Sequence, residues 1–117
     1  MLNFSAAANI FVASSPVDMR KGHVGLSNYI SEALKKDPLS GSWFIFFGKR
    51  SDRVKIFYWD EIGMCFWYKV LPEGIFRPPK INESCYRLTS HELNLLLAGI
   101  DLTNPQRLST VSGKLLE

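Results

Sequence analysis

The sequence predicts an α+β fold: an antiparallel β-meander of four to five strands, one long helix packed on it and a short C-terminal helix. Three observations carry this. Residues 43–47 and 53–70 hold aromatic and β-branched runs separated by short polar turns, the pattern of hairpin-linked strands. Leu26, Tyr29, Ile30, Ala33 and Leu34 fall at helical spacing. Leu93, Leu96, Leu97 and Ile100 do the same behind a Thr89-Ser90-His91-Glu92 capping box.

Asn9-Ile10-Phe11-Val12-Ala13-Ser14 is a short apolar run closed by Ser15-Pro16, a first strand that is either buried on both faces or at an edge. Asp18 stands where an N-cap belongs, so the long helix is predicted over about residues 19–36. Lys35 and Lys36 complement its negative end, and Asp37-Pro38 stops it. The turn Asp37-Pro38-Leu39-Ser40-Gly41 leads into Trp43-Phe44-Ile45-Phe46-Phe47. That strand is so apolar that both its faces must be covered. After Val70, Leu71-Pro72-Glu73-Gly74 turns the chain toward Ile75-Phe76-Arg77, a short last strand stopped by Pro78-Pro79. Residues 80–88 read as a polar connection, and Gly99 ends the second helix.

The central hairpin runs from Ser51 to Val70 around Asp60-Glu61-Ile62-Gly63. With Gly63 supplying a positive φ in a bulge, Tyr58 lies opposite Phe66, Phe57 opposite Trp67 and Lys55 opposite Lys69. Val54, Ile56, Tyr58, Phe66, Tyr68 and Val70 then form a core face. Arg53, Lys55, Phe57, Trp59, Cys65, Trp67 and Lys69 form the other, which mixes cations with large rings. Such a face is either a second buried layer with its cations snorkelling at the rim, or a platform for nucleic acid.

At 117 residues the chain is one domain, expected over 1–102 with a loosely held tail over 103–117. Hydrophobic content of 46% with 13% aromatic residues argues for a packed globule and against disorder. No apolar run reaches membrane-spanning length and the first residues lack the basic start of a secretory signal, so the expected setting is cytoplasmic, with no membrane partner. Cys65 and Cys85 stand apart with only His23 and His91 for company. That is no zinc spacing, so reduced buried thiols are expected, with neither metal nor cofactor.

The formal charge is +3, and residues 43–80 carry seven Lys and Arg against four Asp and Glu. The excess sits around the hairpin, where an anionic partner would meet it. Asp18-Met19-Arg20-Lys21-Gly22 reads either as a phosphate contact at a helix N-terminus or as a capping aspartate beside two solvated cations. The carboxylates Asp18, Asp52, Asp60 and Glu61 each have a structural explanation as caps, loop residues or turn formers. No nucleophile has a credible histidine partner and no glycine loop is built to cradle phosphate. No catalytic constellation is recognisable.

Several separated motifs occur together in order: Asp18-Met19-Arg20-Lys21-Gly22 with Gly25-Leu26, Asp37-Pro38-Leu39-Ser40-Gly41, Asp52-Arg53-Val54-Lys55, Trp59-Asp60, Gly63, Trp67-Tyr68-Lys69, Leu88-Thr89, Glu92-Leu93, Leu96-Leu97 and Gly99-Ile100-Asp101. In this order they resemble the small Orf2 protein, also called TnpB, of insertion sequence sixty-six type bacterial transposable elements. His23-Val24 and Phe76-Arg77-Pro78 depart from that pattern. The resemblance implies a transposition accessory protein, encoded beside a much larger transposase that carries the strand-transfer chemistry. It brings a context and no mechanism.

The function expected is therefore a non-enzymatic DNA-binding accessory factor. Arg20, Lys21, Lys49, Arg50, Arg53, Lys55 and Lys69 would contact phosphates, and Phe57, Trp59 or Trp67, if exposed, would pack on sugar or bases. The alternative is a protein-interaction module that docks the element's transposase through the aromatic face. Homo-oligomerisation through an edge strand stays open.

Overall fold

The computed structural model describes residues 9–103. The predicted tail beyond residue 103 lies outside the described residues. In chain order the elements are β1 (Ile10–Ala13), α1 (His23–Glu32), β2 (Trp43–Phe47), β3 (Arg53–Trp59), β4 (Met64–Val70), β5 (Cys85–Leu88) and α2 (Ser90–Leu97). The α+β class and four of the five strands agree with the sequence reading. The arrangement differs in four respects.

The first concerns the sheet, which is mixed and not a plain antiparallel meander. Its order is β4-β3-β2-β1-β5, with β1 parallel to β2 and the other pairs antiparallel. Parallel neighbours need a crossover connection, usually a helix, and β1–α1–β2 is that unit. The second concerns α1, which is ten residues long and not the predicted eighteen-residue span of 19–36. Its N-cap is Gly22, with no side-chain cap, and Asp18 is engaged elsewhere. The chain leaves the helix before the two lysines, with Lys35 at φ 56° and the Lys36 N–H closing on Ile30 O at 3.0 Å.

Two cores sandwich the sheet. On one side Phe44, Phe46 and Phe57 pack under Leu26 and Ile30 of α1. On the other, Trp43, Ile45, Phe47, Val54 and Ile56 pack under Leu93, Leu96 and Leu97 of α2. Alternation in β2 sends its side chains to both layers, and all five are buried. The second helix is held as its sequence predicts. Thr89 Oγ1 accepts from Glu92 N at 3.1 Å while Glu92 Oε1 accepts from Thr89 N at 2.8 Å. Gly99, at φ 92°, ends it with the Gly99 N–H on Leu96 O and the Ile100 N–H on Leu95 O, the paired bonds of a Schellman stop.

The fifth strand is Cys85–Leu88, inside the segment expected to be a connection. Residues 75–77, expected as a strand, are not one; Phe76 leaves the sheet and plugs the α2-side core. The paired residues of β5 split as a covered strand should, Leu88 facing the α2 core and Cys85 the α1 core.

The hairpin register is one residue away from the expected one. Phe57 pairs with Phe66, Ile56 with Trp67 and Lys55 with Tyr68. The Asp60 carboxylate sets it: Oδ1 accepts from Ile62 N at 3.0 Å and from Gly63 N at 2.8 Å, closing a two-residue loop of Glu61 and Ile62. Glu61, at φ 79°, supplies the positive φ expected of Gly63. A slip of one residue exchanges the faces of a whole strand. Phe66, Tyr68 and Val70 therefore leave the predicted core face and lie exposed beside Arg53 and Lys55, while Trp67 and Lys69 pass to the α2 side.

These backbone donors hold the Asp60 carboxyl below the usual carboxylate range, helped by the Cys65 thiol at 3.4 Å. Because the folded group is the stronger acid, its contribution to the hairpin is complete above the unfolded pKa, near 3.9, and is lost as pH falls through the lower folded value. A carbon-detected NMR titration should find Asp60 titrating below ordinary aspartates. An Asp60→Asn variant, which keeps the acceptor and loses the proton site, should show a shallower loss of stability on acidification.

Candidate nucleic-acid interface

Two loops meet at the C-terminal end of β2 and form an open cleft of about 600 Å³. One is the segment leading to α1. It is tied to the sheet by the Val17 N–H on Phe47 O at 2.9 Å and turned by the Lys21 N–H on Asp18 O at 3.1 Å. The other is the β2–β3 turn, which carries Lys49 and Arg50 at its tip and closes with the Gly48 N–H on Arg53 O. The loops approach so closely that a Cβ on Gly48 would stand 2.9 Å from Met19 Cγ. Only glycine fits there without displacing the Met19 side chain. The turn is also held from behind, because Leu71 N donates to Asp52 O at 2.8 Å and Phe76 N to Ser51 O at 2.7 Å.

Cations dominate the lining. Arg20, Lys49, Arg50 and Arg53 line it together with Asp18 and Asp52. Arg20 is oriented by Asp18, with Nη2 2.7 Å from Oδ2 and Nε within 3.1 Å of both carboxylate oxygens. This fork leaves the Arg20 side chain 90% exposed. The guanidinium holds the Asp18 carboxyl well below the usual range, and the carboxylate raises the guanidinium pKa in return. Both stay charged. Arg20 and Lys21 precede α1 instead of occupying its first turn, so the expected phosphate contact at a helix N-terminus becomes a cation pair on a loop beside the cleft.

From the cleft a strip of cations and rings continues along the sheet. Lys55 Nζ donates to Lys21 O at 3.0 Å and stands 5.7 Å from the ring centroids of both Phe66 and Tyr68. Arg53 Nη1 lies 3.4 Å from Tyr68 Oη, and its Nε lies 3.7 Å from Asp52 Oδ1. The fold thus brings together six of the nine residues predicted to meet nucleic acid: Arg20, Lys21, Lys49, Arg50, Arg53 and Lys55. Lys69 is not among them, since its Nζ donates to Leu97 O at 3.0 Å and sits at the C-terminal end of α2, where a cation complements the helix dipole. Trp67 packs against the α2-side core. Trp59 lies at the far end of β3, six residues and about 20 Å from Arg53. Phe57 is fully buried. Sequence reasoning missed Phe66 and Tyr68 as exposed rings; their type was legible, and their side of the sheet depended on the register.

The carboxylates considered for catalysis are divided between the two ends of the hairpin. Asp18 and Asp52 line the cleft, and Asp60 caps the distant loop beside Glu61. Among the described residues no three His, Cys, Asp or Glu side chains are grouped to hold a metal ion. Cys65 and Cys85 are unpaired thiols, half-buried where full burial was expected. No helix among the described residues is long and apolar enough to cross a membrane.

Comparison with known proteins finds two relatives in Sinorhizobium fredii. The uncharacterized protein y4jC is 38% identical over 107 residues, covering 92% of each chain. The uncharacterized protein y4hO is 32% identical over 106 residues, covering 91% of this chain and 92% of the relative. No solved structure matches. The family model described as IS66 Orf2 like protein matches residues 8–107, which includes the cleft, the hairpin and both helices. The chain belongs to the IS66 Orf2-like family of transposition-associated accessory proteins.

Proposed function

We propose that this protein serves transposition by binding DNA, with the phosphate backbone seated in the cleft between the 16–21 segment and the β2–β3 turn. The observation that carries the reading is the convergence of Arg20, Lys49, Arg50 and Arg53 on one open cleft from two segments some thirty residues apart in sequence. Two carboxylates accompany them, and Asp18 is engaged by Arg20. Forked guanidinium groups and a mobile ammonium suit phosphate oxygens, which fix register without reading sequence. Strand cleavage and joining belong, in this reading, to the element's transposase.

The test is a fluorescence-anisotropy titration against labelled element-end duplex and a scrambled duplex at several salt concentrations. Neutralising phosphates releases counterions, so the logarithm of affinity should fall steeply and linearly with the logarithm of salt. A flat dependence, or no binding at low salt, would transfer the function to the second reading. That reading is transposase docking, which the exposed apolar side chains of Phe66, Tyr68 and Val70 on the outer strand β4 favour.

A further inference from the structure

We infer that Phe66 and Tyr68, with Lys55 set between them, form a stacking platform for single-stranded nucleic acid running out of the cleft. This rests on the DNA-binding reading and narrows it from a phosphate site to a site for unpaired bases.

The two rings are alternate residues of β4, on the side of the sheet that carries Arg53 and Lys55. They are 42% and 45% exposed, whereas Phe44, Phe46 and Phe57 beside them are buried under α1. The spacing selects the ligand. Alternate residues of a strand stand about 6.6 Å apart, while stacked bases in a duplex strand rise about 3.4 Å. A strand that lays one base on each ring must be unstacked between them. A duplex cannot offer that, because its bases already cover one another's faces.

Charge complementarity names a polyanion as the occupant. Lys55 Nζ is equidistant from the two ring centroids and is steered there by Lys21 O. Arg53 Nη1 touches the phenol oxygen of Tyr68 and also lines the cleft. Arg53 therefore links the cleft it shares with Lys49 and Arg50 to the edge of the rings. Phosphates can follow that line while bases turn onto the aromatic faces, the division of labour that single-strand binders use.

Anisotropy titrations of the full chain against an oligothymidine of about 16 nucleotides and a duplex of equal length test this. Wild type should prefer the single strand. Phe66→Ala/Tyr68→Ala should weaken single-strand binding about a hundredfold, roughly tenfold per ring, and leave duplex binding nearly unchanged. Phe66 meets Phe57 edge-to-face at 5.3 Å, so Tyr68→Ala alone is the variant that spares the core. It should lose about tenfold, and Tyr68→Phe should retain the affinity. Equal affinity for both forms, or single-strand affinity unmoved by Tyr68→Ala, overturns the platform and leaves the cleft reading standing. A wild-type dimer that Tyr68→Ala converts to monomer at unchanged DNA affinity also overturns it, assigning the patch to a second copy. No binding of either DNA overturns both readings.

Discussion

Replacing Phe57 by alanine should lower the unfolding free energy by about 3–5 kcal/mol, which is roughly a fifth or more of the total for a small domain. The ring is fully buried. It lies across from Phe44 on β2 and Phe66 on β4, and under Leu26 and Ile30 of α1. Its neighbours are held by β-ladders on both sides and cannot collapse into the space. The cost therefore includes the cavity as well as the lost burial. Urea unfolding should show the midpoint falling at nearly constant m-value, and Phe57→Leu should cost under about 1.5 kcal/mol. A Phe57→Ala loss below about 1 kcal/mol would mean that the ring is not buried between the sheet and α1.

The second large effect is on binding. Lys49→Glu with Arg50→Glu should leave thermal unfolding unchanged, because both side chains are exposed at a turn whose backbone is bonded from behind. Each neutralised phosphate contributes about 0.9 to the slope of log affinity against log salt. Losing two contacts should lower that slope by about 1.8 and, at ~0.05 M salt, weaken duplex binding on the order of a hundredfold. Mutating Lys69, which caps α2, should leave the slope alone. An unchanged slope in the Lys49 and Arg50 double variant would remove the β2–β3 turn from the interface.

Local signals in the sequence located most elements and stopped short of their mutual arrangement. Trp43–Phe47 announced a strand covered on both faces because nothing in it is polar. The Thr89 to Glu92 box fixed the start of α2, since both partners of the reciprocal bonds lie within one turn. The parallel pairing of β1 with β2 was invisible, because no residue in either strand encodes its neighbour. β5 was hidden by Arg87 and by its position in a polar stretch; it is a strand because β1 offers it a free edge. The register turned on whether Gly63 or Glu61 took the positive φ, and turn preferences favour glycine. Here the carboxylate of Asp60 outweighed that preference by binding two loop amides. The cations of the site were therefore legible as a group, whereas the identity of the rings beside them hung on one residue of register.

The backbone bonds from Leu71 and Phe76 to the turn bearing Lys49 and Arg50 have a kinetic consequence. A contact loop that is free in the unbound protein must be ordered when its ligand arrives, and the entropy of that ordering is subtracted from affinity. This turn is already bonded from behind, so under the DNA-binding proposal association would need no folding step at the contact and its speed would be set by diffusion and attraction between charges. Under that proposal the protein would grip and release a polyanion repeatedly while the backbone of the turn stays still.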